Sequence, residues 1–297
     1  MKKLPKIIVI LGPTASGKSA LAVKIARKFN GEVISADSRQ VYKGMDIGTG
    51  KVTEKEMAGV PHHLIDVTSP KKVFTVSQYK KLAAKKIGEI LKRSKLPIIC
   101  GSSGFYIQSV VDNIIIPSIK PDKKLRAKLM QKSTGELFEQ LKKLDPRRAK
   151  SIDKHNRYRL VRALEIIIKS GKRVPPIISK PTYEPLFIGI KRNKKELKKL
   201  IKERLLKRLK EGMVKEVIGL KKAGVRYERL EDFGLEYRYI AYYLQNKLNY
   251  DDMVKKLQME IEHYAKRQLT WFKKNKRIKW ITNEKEAGKL IRGFLSL

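Results

Sequence analysis

The chain is poor in sulfur, with one cysteine, Cys100, among 297 residues. That excludes an intramolecular disulfide framework and a cysteine-built zinc site, and makes a reducing, cytoplasmic setting the expectation. Proline and glycine are sparse, at 12 and 19 residues, and no low-complexity tract occurs, which excludes collagen-like and linker architectures. Long apolar runs are missing as well. Met1 to Lys6 followed by Ile7 to Leu11 resembles a secretory leader, but the apolar stretch is short and leads straight into Gly12-Pro13-Thr14. No other stretch approaches the roughly 18 apolar residues of a membrane span, so neither export nor membrane insertion is expected. The last scarcity is acidic charge: 29 Asp plus Glu face 69 Lys plus Arg, a formal net charge of +40. A lysine-rich proteome would supply part of that excess, but a polyanionic partner such as nucleic acid is the natural inference.

What is present alternates. The β-branched run Lys6 to Leu11 reads as a buried parallel strand, Ser19 to Phe29 as a helix stopped by Asn30-Gly31, and Glu32 to Ala36 as a second strand. A helix over Ser77 to Lys92 and a strand over Leu96 to Gly101 follow. The pattern predicts an α/β fold, a parallel sheet flanked by helices with functional loops at the carboxyl ends of the strands, and the Gly12-Pro13-Thr14-Ala15-Ser16-Gly17-Lys18-Ser19 loop after its first strand makes that fold P-loop NTPase-like. From about Pro117 to Pro176 the strand signals fade, and amphipathic helices occupy Lys123 to Met130, Gly135 to Lys143 and Arg157 to Lys169. The predicted organisation is a catalytic core of 1–116 and 177–297 with a helical insertion at 117–176. Leu186 to Ile190 returns to the sheet, and the remainder is predicted to be helical, over Lys194 to Glu211, Val214 to Ala223, Tyr237 to Asn246 and Asp251 to Lys273.

Gly12-Pro13-Thr14-Ala15-Ser16-Gly17-Lys18-Ser19 matches the phosphate-loop pattern and sits where that pattern must, after a strand and opening a helix. The glycines let successive N–H groups face an anion, Lys18 offsets its charge, and Ser19 can ligate Mg²⁺. Asp37, at the end of the second strand, is open to three readings: a metal carboxylate, a general base, or a turn cap. His62-His63 with Asp66 points away from a metal site, since adjacent histidines face different ways. Cys100 reads as a buried core residue. The arginines at 147, 148, 157, 159 and 162, the stretch Lys266 to Lys274 around Trp271 and Phe272, and the tyrosines at 237, 239, 242 and 243 suit phosphates and stacked bases. Trp271 and Phe272 are equally open to a core reading.

The ordered set formed by the phosphate loop, Ser35 to Tyr42, Asp46 to Lys51, Pro61 to Asp66, Gly101 to Tyr106, Asp145-Pro146 with Arg162 to Glu165, and Arg267 to Phe272 resembles the tRNA dimethylallyltransferase (tRNA isopentenyltransferase) family, bacterial type. The resemblance spans nearly the whole chain. It implies transfer of a dimethylallyl group from dimethylallyl diphosphate to N6 of the adenosine 3′-adjacent to the anticodon in tRNA. On the family pattern Gly12, Pro13, Thr14, Ala15, Ser16, Gly17, Lys18, Ser19 and Arg204 hold the diphosphate, with Mg²⁺ at Ser19. Asp37 is the implied general base, with Lys18 and Ser103 as further catalytic groups. The implied tRNA contacts are Asp37, Ser38, Arg39, Gln40, Ser103, Arg126, Tyr158, Arg159, Leu160, Val161 and Arg162, gripping the anticodon stem-loop. Gly101-Ser102-Ser103-Gly104 stands where Gly-Gly-Thr-Gly is commoner, and no contact is assigned to Gly234 to Arg238, which departs from the family's usual segment. A monomer without a membrane partner is expected. The rival readings are an adenylate dimethylallyltransferase acting on free AMP or ATP, a P-loop kinase or RNA-dependent ATPase, and an RNA-binding module with a vestigial loop.

Overall fold

A computed structural model describes residues 3–176 and 178–296. The chain divides into two compact units, Met1–Asn113 with Pro181–Leu297, and Ile114–Lys180. The second is wider at both ends than the expected 117–176.

The first unit begins with β1 (Lys6–Leu11), α1 (Lys18–Lys28), β2 (Gly31–Ser35), α2 (Glu54–Met57), β3 (His62–His63), α3 (Val76–Lys92), β4 (Leu96–Gly101) and α4 (Gly104–Val111). The helical unit contributes α5 (Lys123–Leu129), α6 (Thr134–Leu144), α7 (Pro146–Ser151) and α8 (Arg157–Ser170). The chain then returns with β5 (Glu184–Ile190), α9 (Lys194–Lys210), α10 (Met213–Lys222), α11 (Tyr227–Phe233), α12 (Leu235–Leu244), α13 (Tyr250–Lys273), β6 (Lys279–Ile281) and α14 (Glu284–Ser296). All six strands are parallel, in the order β3-β2-β4-β1-β5-β6. The architecture is therefore the expected α/β one. One expectation is corrected: the chain beyond Lys273 is not wholly helical, because Lys279–Ile281 pairs with β5. Three residues are too few for strand alternation to register in a sequence.

The central strands are buried on both faces, as parallel strands covered by helices must be. Ile7, Val9 and Leu11 pack toward α3 and α4, while Ile8 and Ile10 pack toward α1 and α14. Leu11 is in register with both Gly101 and Gly189, so the loops leaving β1 and β4 stand side by side. Gly101 is required there, since a Cβ would lie 2.1 Å from the Ala36 carbonyl. Helices α9 to α13 form a separate apolar cluster that also takes in Val41, Tyr42 and Met45 from the segment after β2. In the helical unit, Ser133 and Glu136 form a capping box on α6, while Asn156 caps α8 and Gly171 (φ 66°) ends it.

Candidate active site

The loop after β1 turns through positive φ at Ala15 (61°) and Gly17 (90°), and α1 then starts at Lys18. The curl leaves the Ser16 hydroxyl buried with no protein partner among the described residues. An orphaned buried donor beside a helix N-terminus is the mark of a site made for an anion. The Lys18 ammonium lies 3.3 Å from the Pro13 carbonyl, and burial lowers its pKa to about 8, with Arg204 and Arg208 pressing the same way. Arg204 of α9 donates to the Thr14 hydroxyl. Burial and the neighbouring Arg208 press its pKa down too, yet a guanidinium keeps its charge, so this cation stands ready for an anion. Arg192, one residue before the Asn193 cap of α9, donates to the Ser16 carbonyl at 3.4 Å.

Of the three readings of Asp37, the geometry shows the turn cap. Its Oδ1 accepts the Arg39 N–H at 2.8 Å and the Gln40 N–H at 3.4 Å, which is a turn cap. Its Oδ2 meets the Ser102 hydroxyl at 3.4 Å, and the residue lines a cavity of about 250 Å³. Thr14, Ser38, Arg39, Ser102 and Arg204 line the same cavity, and Gly48 and Thr49 reach it from the loop after β2. The phosphate-loop end and the carboxylate thus share one volume. Among the described residues no three His, Cys, Asp or Glu side chains gather as a metal cluster. His63 instead pairs with Glu32 at 2.6 Å, and His62 bonds the Val60 carbonyl.

Several expected contacts sit elsewhere. Ser103 does not line the cavity; its hydroxyl accepts the Ser38 N–H at 3.0 Å, and Ser102 takes the place beside Asp37. The Gln40 amide is used as a brace, accepting from the Ser35 hydroxyl at 2.9 Å and donating to the Gly50 carbonyl at 3.1 Å. In the helical unit, Leu160 and Val161 are buried in its core and offer RNA no surface, whereas Tyr158 is 70% exposed and Arg159 is exposed beside it. Arg126 clasps the buried Glu165 through two nitrogens, at 2.8 and 2.7 Å, and Arg162 joins from the next turn. Cys100 is buried as expected. Phe272 is core, and Trp271 is partly exposed.

The cavity is completed by residues that the sequence singles out only in part. Leu235, Glu236, Tyr237, Arg238 and Tyr239 line it along with Tyr264 and Arg267 of α13; Tyr237, Tyr239 and Arg267 are among the residues expected to suit bases and phosphates, whereas Leu235, Glu236, Arg238 and Tyr264 are not singled out. Glu236 is buried, which raises its pKa, and its charged partner Arg208 lies 3.4 Å away. Arg208 also reaches the Gly48 carbonyl.

Comparison with known proteins bears on the whole chain. Residues 40–275 match the family model described as IPP transferase. The tRNA dimethylallyltransferase 1 of Geotalea uraniireducens is 40% identical over 294 residues, covering 96% of this chain and 97% of the relative. The chain belongs to the tRNA dimethylallyltransferase family. Two solved structures extend the likeness to three dimensions. The full-length tRNA isopentenylpyrophosphate transferase of Bacillus halodurans is 34% identical, with a TM-score of 0.74 over 98% of this chain and 95% of its own. A eukaryotic dimethylallyltransferase acting on tRNA is 28% identical, with a TM-score of 0.75 over 90% of this chain and 69% of its own. Members of this family are prenyltransferases, and the cavity described above is the active-site candidate.

Proposed function

We propose that this enzyme transfers the dimethylallyl group of dimethylallyl diphosphate to N6 of the adenosine 3′-adjacent to the anticodon in tRNA. The observation that carries the reading is the shared cavity, with Thr14 and Arg204 at one wall and Asp37 at another. The donor's diphosphate lies in the curl of residues 12 to 19, against the Ser16 hydroxyl, Lys18 and Arg204. The amine attacks the allylic carbon, the carbon–oxygen bond to diphosphate breaks, and the amine proton passes to Asp37 Oδ2. Diphosphate leaves with both electrons of the broken bond. Lys18 and Arg204 are fixed cations where that negative charge develops, which is electrostatic catalysis by groups already in place. An exocyclic amine is a poor nucleophile, so the carboxylate contributes by general-base catalysis, typically 10²–10⁴-fold.

The Ser19 hydroxyl would hold Mg²⁺, which favours a few protein oxygens plus phosphate oxygens and water. Bound there, Mg²⁺ supplies further charge neutralisation on the diphosphate. The +40 net charge supports a tRNA acceptor over a free nucleotide. The stacked target base must be extruded to reach Asp37, at a cost of a few kcal/mol. On this reading the enzyme works on cytoplasmic tRNA, and one copy of the chain holds every group the chemistry uses.

The test is prenyl transfer to unmodified tRNA measured beside transfer to AMP. Higher kcat/KM for tRNA is expected; faster turnover of AMP would overturn the acceptor assignment. Consumption of ATP without prenyl donor would instead favour the kinase or ATPase reading.

A further inference from the structure

Gln268 lies on α13, is 6% exposed and does not line the cavity, although Tyr264 and Arg267 on the same helix do. Its carboxamide is engaged at both ends. The Oε1 accepts the Thr14 N–H at 2.9 Å, and the Nε2 donates to the Ser102 carbonyl at 3.3 Å. Only one orientation of the amide satisfies both partners, because one is a donor and the other an acceptor. Thr14 belongs to the phosphate loop, where its hydroxyl holds Arg204. Ser102 belongs to the loop after β4, where its hydroxyl meets Asp37 Oδ2. A single buried side chain therefore joins the wall that holds the leaving group to the wall that holds the base.

The helix bearing Gln268 is itself held in place. Trp271 packs so closely on Gly104 that a Cβ there would lie 2.3 Å from the indole Nε1, and Phe272 is buried in the sheet core. The strut is thus anchored at its base as well as at its two tips.

We propose that Gln268 is a positioning residue that sets the distance between the diphosphate cradle and Asp37. The inference rests on the function proposed above. Bond formation between the amine and the allylic carbon needs the reacting atoms about 3–3.5 Å apart, and a misplacement of about 1 Å costs on the order of 100-fold in rate. Neither substrate need touch Gln268 for its loss to be felt. The effect should fall on turnover, while each substrate still finds its own wall.

The experiment compares full-length wild type, Q268M and Q268E in steady-state transfer from dimethylallyl diphosphate to unmodified tRNA. Q268M keeps the volume of the side chain and removes both polar ends, so it separates the hydrogen bonds from the packing. We expect kcat to fall about 100-fold, with KM for donor and for tRNA changed less than about threefold, in a variant that stays folded with a melting temperature lowered by several degrees. Q268E can accept from Thr14 but cannot donate to Ser102 as a carboxylate, so it should not rescue kcat. A wild-type kcat in Q268M would overturn the strut. So would a loss confined to KM of one substrate, which would make Gln268 a binding group, or a rescued kcat in Q268E. If Q268M does not fold, the kcat of folded Q268E decides alone. Absence of transfer by the wild-type enzyme would instead sink the underlying function.

Discussion

Two buried glutamates, each placed near two arginines, behave in opposite ways. In the helical unit Glu165 is fully buried, and burial alone would raise its pKa, but hydrogen bonds from Arg126, the Asp122 N–H and Arg162 outweigh that and hold it at about 2. In the phosphate-loop unit Glu236 has Arg208 only at 3.4 Å and Arg204 near but bonded to Thr14, so burial prevails and its pKa rises. The first cluster is closed: donors and acceptor match one another at short range. The second is open, with guanidiniums not fully committed to a protein acid and a hydroxyl at Ser16 without a partner among the described residues. Closed networks build a scaffold, whereas open ones wait for a ligand, here an anion.

The largest expected effect lies in the open region. Asp37→Ala should lower transfer by 10²–10⁴-fold or more while tRNA affinity, measured by filter binding, changes less than about threefold. Normal turnover in that variant would remove the general base. The next effect breaks the closed region: Glu165→Ala takes the acceptor from Arg126, Arg162 and the Asp122 N–H, and because both arginines are partly exposed it should cost about 2–3 kcal/mol of stability in denaturant titration. Glu236→Gln sharpens the contrast. Because burial already favours its neutral form, the amide should change stability by about 1 kcal/mol or less. Equal losses in the two variants would erase the distinction between closed and open clusters.

The smallest effects are pH dependences of opposite sense. The folded pKa of Glu165 lies below its unfolded value, so its contribution to stability is present above about pH 4.5 and is lost as pH falls toward about 2. Acid denaturation of wild type should therefore steepen below about pH 4.5, less so in Glu165→Gln. Lys18 is a cation with a pKa lowered to about 8, so the free enzyme loses that charge as pH rises through about 8. Donor affinity should weaken above about pH 8, by at most tenfold per pH unit, and binding there should take up a proton from buffer. Calorimetry in buffers of different ionisation enthalpy reads that proton directly.

The open site was only half legible in the sequence. The phosphate loop and Asp37 are local features at strand ends, and a contiguous motif shows in one dimension. Gln268 and Arg208 gain their meaning from partners far along the chain: Thr14 lies 254 residues from Gln268, and Gly48 lies 160 residues from Arg208. No spacing rule reaches so far. Leu160 and Val161 fail for a different reason. A site assigned as the continuous stretch from Tyr158 to Arg162 ignores the helical period, which turns those two residues into the core of their unit. The fold was more legible, because β1, β2 and β4 are apolar runs ending at loops, while β3 and β6, of two and three residues, were too short to show.

The most direct test of the account is mass spectrometry of the adenosine next to the anticodon after a single turnover with dimethylallyl diphosphate, Mg²⁺ and unmodified tRNA. The account predicts one dimethylallyl group on N6 with wild type and none with Asp37→Ala in the same time. An unmodified adenosine with wild type, or equal modification by both proteins, would contradict it.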